Sequence, residues 1–223
     1  MNALLPTGKI TFEKIERDGS VSKRWPAKEL NMTANVVCKN CNQTWMSAIE
    51  KRQAKPAMAD LILGKRVGEI TRRRAHGISV FAFKTAVVAN RMLPETDDFF
   101  LQSERYAFRE SLQIPDNVAM WLVGFGSTNA GGLRSMNIYF PNPNTPQLTL
   151  NVCTFRVGQL GFQVVPARNT SAPTKVESIS MPPDSTVQFY PLIQRGSSWP
   201  RRTPLTNEDF DRFSHRWNSV RFH

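Results

Sequence analysis

Cysteine and histidine are scarce in this sequence, which has three of each among its 223 residues. Three cysteines do not make a disulfide framework, so the chain is predicted to fold through its hydrophobic core in a reducing compartment. The amino terminus lacks a basic region followed by an apolar one, and no segment has about 18 uninterrupted apolar residues. We therefore expect a cytoplasmic protein without a membrane association.

Acidic residues are outnumbered, since 18 Asp and Glu stand against 29 Lys and Arg, a formal net charge of +11. A basic excess attracts polyanions, because their binding releases condensed counterions. The predicted partner is nucleic acid, with DNA expected before RNA. Two alternatives stay open: an acidic partner protein, and a solvated basic surface without a dedicated partner.

The hydrophobic pattern predicts an α+β fold. KITFEKI and VSKRW, separated by the turn signal RDGS, predict a β-hairpin near the amino terminus. A helix is expected to begin near Thr44, to end or restart at Pro56, and to stop at Gly64. The apolar run ISVFAFKTAVVANRML predicts a buried helix, closed by Pro94, and a shorter helix is expected over residues 103–112.

The second half of the chain has a sequence pattern typical of β-strands. From about residue 118, apolar runs alternate with Pro, Gly and Asn clusters, which predicts an antiparallel meander of about four or five strands. Thr206 and Asp209 have the spacing of a capping box before an amphipathic carboxy-terminal helix with Phe210, Phe213 and Trp217 on one face. The five tryptophans are expected to be core anchors.

Cys38 and Cys41 form a C-x-x-C pair followed at once by Asn42. The turn lets both sulfurs point the same way, as two of four tetrahedral zinc ligands require, but no second paired spacing occurs in the chain. A redox pair is a weaker interpretation, because thioredoxin-type pairs sit at a helix start within a βαβ pattern. The third interpretation is a pair of buried free thiols that pack the hairpin against the helix. Asn42 is either a metal-site residue or an ordinary N-cap.

The stretch VVCKNCNQTWMSAIEKRQAKPAMADLILG, residues 36–64, resembles the second half of HNH-type, ββα-metal-finger nuclease-like proteins of bacteria and phages. In that group, C-x-x-C-N leads into a helix that opens G-W-M-S and continues to a glutamate, a K-P pair and a Leu/Ile-Gly stop. Thr44 stands in place of the usual glycine, and RWPAKEL, FAFKTAVVAN and SSWPRRTPL continue the resemblance more loosely. The matching positions are Cys38, Cys41, Asn42, Trp45, Met46, Ser47, Glu50, Lys55, Pro56 and Gly64.

The resemblance implies a hairpin-plus-helix, ββα-like element over residues 1–64 with zinc at Cys38 and Cys41, packed as one unit with an α+β domain over residues 65–223. Members of the group also carry another cysteine pair and a strand ending in a histidine, which activates water for metal-assisted phosphodiester hydrolysis. This chain has no cysteine before Cys38 and no histidine before His76. Either a longer native amino terminus supplies them, or the finger is degenerate and serves another purpose.

The densest basic run is Arg72, Arg73 and Arg74, with Lys65, Arg66 and His76 close by, in a segment that we expect to be a loop. Arginine forks suit phosphate oxygens, and a solvated connection is the alternative. Lys39, Lys51 and Arg52 are predicted to extend this patch across the finger helix. Arg195, Arg201 and Arg202 form a second, weaker patch.

The leading hypothesis is a nucleic-acid-binding, HNH-nuclease-like protein of bacterial or phage origin, with a role in defence or counter-defence. A divalent metal is expected if it cuts, and His76 is the default histidine, although no catalytic residue is assigned. The alternative is a non-enzymatic inhibitor or complex subunit that binds a partner protein on a decayed nuclease scaffold.

Overall fold

Helices and antiparallel strands both contribute to the fold in the computed structural model, which describes residues 10–15, 21–27, 36–65, 67–93, 98–126, 131–140, 148–169, 186–191, 197–199 and 203–215. The helices are α1 (residues 39–62), α2 (Arg72–Asn90), α3 (Gln102–Ser111) and α4 (Asp209–His215). The strands are β1 (Ile10–Ile15), β2 (Val21–Ala27), β3 (Val67–Ile70), β4 (Val118–Gly124), β5 (Gly131–Phe140), β6 (Leu148–Val157), β7 (Leu160–Asn169), β8 (Thr186–Tyr190) and β9 (Ser197–Trp199).

Five antiparallel strands form the main sheet in the order β5-β6-β7-β4-β8. The strand number and the antiparallel pairing were predicted correctly. The expectation of a simple meander holds only for β5, β6 and β7, because β4 lies between β7 and β8. Two smaller antiparallel pairs, β1 with β2 and β3 with β9, complete the described strands.

The strand β4 lies between β7 and β8 and is buried along its whole length, with side chains that alternate between the two faces of the sheet. Met120 and Leu122 face the larger apolar cluster, which also contains α2, whereas Ala119 and Trp121 belong to a second cluster across the sheet. This is the period-2 alternation of a strand. The larger cluster contains side chains from both sides of residue 64, since Leu61 and Phe162 are both fully buried in it.

The long helix α1 continues from Lys39 without a break in the helix. Its geometry changes from α-helical to π-helical in two turns, Asn42–Met46 and Glu50–Ala54. Pro56 lies in the first turn of the α-helical segment that follows the second of these. A proline ring clashes with the carbonyl four residues earlier, and a wider π turn relieves that contact. The helix therefore restarts at Pro56 rather than ending there, one of the two predicted outcomes.

The helix α2 begins six residues before the apolar run that predicted it. Thr71 is its N-cap, with the side-chain oxygen accepting the Arg74 N–H at 3.3 Å. The expectation of a loop around Arg72, Arg73 and Arg74 is therefore wrong. Three arginines in succession favoured a loop, because cations are unfavourable at the positive end of a helix dipole. The Thr71 cap and the buried side of the following turns stabilise a helix there instead.

The two ends of the chain are described only in part. The predicted hairpin is present as β1 and β2, but residues 28–35 between it and α1 lie outside the described residues, so the ββα arrangement stays a prediction. At the other end, α4 begins with reciprocal bonds between Thr206 and Asp209, and Trp217 lies outside the described residues. Among the described residues, no helix is long and apolar enough to cross a membrane.

Candidate functional site

The cysteine pair lies at the start of α1. Cys38 has extended backbone geometry and is the N-cap, and its Sγ accepts the Cys41 N–H at 3.3 Å. Cys38 is exposed, Cys41 is half-buried, and both are free thiols. The helix start therefore brings the two thiols into its first turn, on a side that solvent reaches.

Two sequence interpretations of this turn are corrected by its geometry. Asn42 is not the N-cap, because α1 begins at Lys39 and Asn42 already lies inside the helix. The hypothesis of buried packing thiols is wrong for Cys38, which is exposed. The helix starts earlier than its apolar face predicts, because the Cys38 sulfur is the N-cap acceptor. The residues usually expected at an N-cap, Ser, Thr, Asp and Asn, accept through a side-chain oxygen.

The donor set around the pair is incomplete for structural zinc, which takes four ligands. No group of three or more His, Cys, Asp or Glu side chains comes together within the described part of the chain. Gly77, next to His76, contacts α1 at Gln53, and the helix from Cys41 to Gln53 spans roughly 18 Å at about 1.5 Å per residue. His76 and the cysteines therefore do not form one site.

The third helix, α3, approaches the cysteine end of α1. The Trp45 and Phe108 rings meet edge to face with centroids 6.2 Å apart. The pKa of the Cys38 thiol is lowered mainly by the hydrogen bonds that it accepts from Cys41, and the positive charge of Arg109 on α3 makes the smallest contribution in the same direction. Arg109 had no motif to single it out, since only the packing of α3 against α1 brings it near Cys38.

Several of the predicted basic residues lie on α1 and α2, two helices that pack against each other. Gly77 permits a close approach, since a Cβ added to it would stand 3.1 Å from the Gln53 carbonyl oxygen, and Arg74 Nε donates to the Ala57 carbonyl at 2.7 Å. These contacts pair the helices antiparallel and set the first turn of α2 beside residues 57–60, near the end of α1. The exposed cations of the second half of α1 and the first turn of α2, which we call the basic surface, are Lys51, Arg52, Lys55, Arg72 and Arg73.

The members of the basic surface have no ion pair with a carboxylate of the described residues. Lys55 belongs to this surface, although the sequence analysis named it only as part of the K-P pair in the motif of residues 36–64. Its position close to Lys51 and Arg52 in the sequence could have indicated that it belongs with them.

The other predicted basic residues differ from this surface in their surroundings. Arg74 is only 18% exposed at its side chain and pairs with Asp60 at 3.6 Å, in addition to its bond to Ala57. Lys65 also lies 3.6 Å from Asp60. Lys39 is exposed at the far end of α1, and Arg66 lies outside the described residues.

Comparisons with protein-family models, with curated proteins and with solved structures find no match to this chain.

Proposed function

We propose that the protein binds nucleic acid, DNA before RNA, through the basic surface of α1 and α2. The observation that supports this proposal is the presence of five exposed cations, none paired with a described carboxylate, on the second half of α1 and the first turn of the neighbouring α2. Arginine and lysine side chains bind phosphate oxygens, and a backbone contact needs no base-specific geometry.

The helix dipole adds to this surface. Arg72 and Arg73 occupy the first turn of α2, where the backbone N–H groups carry partial positive charge. Cations repel that end of a helix, so a bound phosphate would relieve an unfavourable arrangement as well as form new ion pairs. With a net charge of +11, counterion release makes a further favourable contribution at moderate salt.

The resemblance to HNH-type nuclease-like proteins supports the same ligand class, but the described residues assign no catalytic group. Glu50, within the matched motif, forms an ion pair with Lys84, and His76 is separated from the cysteines. The proposal is therefore restricted to binding. An acidic partner protein is the competing occupant of the same surface, and the experiment below separates the two.

The test is fluorescence anisotropy of labelled duplex DNA, single-stranded DNA and hairpin RNA, titrated with the protein over a range of salt concentrations. Replacing Arg72 and Arg73 with alanine should weaken binding and reduce the slope of log K against log salt by up to about two, since each lost phosphate contact removes about 0.9 for duplex DNA. Arg74 is left intact, because it holds the two helices together.

The matched comparison is Arg73→Ala against Arg212→Ala. Arg212 lies on α4, its side chain is 83% exposed, and it forms an ion pair with Asp209 at 3.5 Å. Binding should depend on Arg73 and be nearly unchanged by Arg212→Ala. Equal losses would mean that net charge alone attracts the ligand, and no binding to any nucleic acid, with retained binding to polyglutamate, would favour the acidic partner.

A separate assay addresses catalysis. Plasmid DNA and structured RNA are incubated with the protein in Mg²⁺, Mn²⁺ or Ni²⁺, with an EDTA control and the Cys38→Ser, Cys41→Ser double variant alongside. Metal-dependent cutting that the double variant loses would extend the proposal from binding to hydrolysis. Binding without cutting by a folded protein would leave it as stated.

A further inference from the structure

We propose that Cys38 and Cys41 form a thiol–disulfide exchange site, in which Cys38 attacks a disulfide and Cys41 resolves the mixed disulfide. This proposal is independent of nucleic-acid binding, because the basic surface lies toward the other end of α1. The substrate class is a disulfide, either of a small thiol compound or of a protein.

Accessibility and position assign different tasks to the two thiols. Cys38 precedes the first helical residue and is exposed, so an incoming disulfide can reach its sulfur. Cys41 is half-buried in the turn behind it, where the incoming molecule has less access. The outer cysteine is therefore the attacking group and the inner one the resolving group.

The spacing also permits the product disulfide. Residues three apart on a helical turn are surface neighbours, and a disulfide joins Cα atoms about 4.4 to 6.8 Å apart. The bond from the Cys41 N–H to Cys38 Sγ, at 3.3 Å, shows that the Cys38 side chain already points back over this turn. Cys38 has extended rather than helical backbone geometry, which leaves its χ1 free of the clash with a preceding helical turn.

The surroundings of Cys38 favour its thiolate. The sulfur accepts the Cys41 N–H at 3.3 Å and stands at the start of α1, where the helix dipole is positive, and both features favour a negative charge on it. A thiolate, not a thiol, is the nucleophile in disulfide exchange. Cys153 is the internal contrast, since it is fully buried and burial raises its pKa.

The exchange balances without a cofactor. The Cys38 thiolate attacks one sulfur of the substrate disulfide, forms a mixed disulfide and expels the other sulfur as a thiolate. The Cys41 thiol then loses its proton to solvent and its sulfur attacks Cys38 Sγ, which forms the Cys38–Cys41 disulfide and releases the second thiolate. Two electrons pass from the cysteine pair to the substrate, which is the oxidant.

The first experiment uses dithiobis(nitrobenzoate) as the probe disulfide, at one equivalent per reduced protein. The intact pair should release both thionitrobenzoate anions and end as an unlabelled protein with an intramolecular disulfide, measured by absorbance and intact mass. Cys41→Ser should release one anion and retain the label on Cys38. Cys38→Ser should lose the fast phase, and because serine is itself a good N-cap, that variant keeps the helix start.

Arg109 is tested as a positioning residue by the pair Arg109→Ala and Arg109→Lys. The alanine variant should slow the fast phase only slightly at neutral pH, because the Cys41 N–H is the larger influence on Cys38, and the lysine variant should restore the rate because it restores the charge. Oxidised glutathione and insulin then distinguish a small-molecule from a protein disulfide as the preferred substrate.

Three results would overturn the proposal. One is a Cys38 reaction no faster than that of the same thiol in urea-unfolded protein. Another is a Cys41→Ser variant that behaves as the wild type does and traps no label. The third is stoichiometric zinc in the purified protein that the thiol reagent releases, which would make the pair a metal site with donors from outside the described residues.

Discussion

Lys84 Nζ lies 2.6 Å from Glu50 Oε1, and this ion pair joins α1 to α2 on the inner side of the helix pair. The Lys84 side chain is 10% exposed, whereas that of Glu50 is 42% exposed. Glu50 belongs to the second π-helical turn of α1, and Lys84 lies in the second half of α2. Glu50 therefore has a structural partner.

The unequal burial of this pair predicts an unequal response to substitution. Glu50→Ala leaves a nearly buried ammonium without its carboxylate, and we expect a loss of about 1 to 3 kcal/mol in the free energy of unfolding, below the full cost for a fully buried pair. Lys84→Met removes the buried charge, keeps an apolar stem beside Phe81, and leaves a carboxylate that water can reach. It should cost less. Urea unfolding followed by tryptophan fluorescence measures both, and a larger loss for Lys84→Met would contradict the desolvation argument.

Arg74 and Arg73 are adjacent but should differ in their contribution to stability. Arg74→Ala removes the bond to the Ala57 carbonyl and is expected to lower the free energy of unfolding by about 1 to 3 kcal/mol, as for other hydrogen bonds from charged donors. Arg73 is exposed, so Arg73→Ala should stay within about 0.5 kcal/mol. Thermal and urea unfolding of the two variants test this difference. Equal effects would remove Arg74 as the link between α1 and α2.

The turn between β6 and β7 should not tolerate a side chain at Gly158. This residue has φ +59°, and a Cβ there would stand 2.8 Å from the Ile62 carbonyl oxygen. Gly158→Ala should destabilise the protein by about 1 to 3 kcal/mol, since both the backbone conformation and the close contact oppose it. Gly68→Ala is the control, because nothing lies within 4 Å of its added Cβ. A neutral Gly158→Ala variant would mean that the end of α1 can move away from the sheet.

The pH dependence of the reaction of Cys38 with iodoacetamide should differ between the folded and the unfolded protein. Alkylation needs the thiolate, so its rate rises as the pH passes the thiol pKa. Because the folded protein lowers the pKa of Cys38, its rate should reach half of its maximum at a lower pH than for the same cysteine in urea. Arg109→Ala should raise that midpoint only slightly, because the hydrogen bonds from Cys41 lower the pKa of Cys38 more than Arg109 does. Peptide mass spectrometry separates Cys38 from Cys41 and Cys153, and coincident folded and unfolded midpoints would contradict the effect.

Local sequence patterns predicted much of the secondary structure. The apolar run within α2 and the strands after residue 118 are at the predicted places. They could be predicted because the alternation of buried and exposed positions is visible in the order of neighbouring residues. Trp121 and Trp199 are core residues, as predicted. The thiol cap at Cys38 and the threonine cap at Thr71 were missed, since both helices start ahead of their apolar faces.

The sequence by itself determined most of the larger elements, the excess of positive charge and the C-x-x-C spacing, but not the short strands β3 and β9. Only the tertiary structure decided the position of β4 between β7 and β8, the meeting of Glu50 with Lys84, and the approach of Arg109 to Cys38. Such contacts join residues distant in the chain, and they depend on packing between apolar faces rather than on the preference of any short segment. The candidate sites of this protein are built from those contacts.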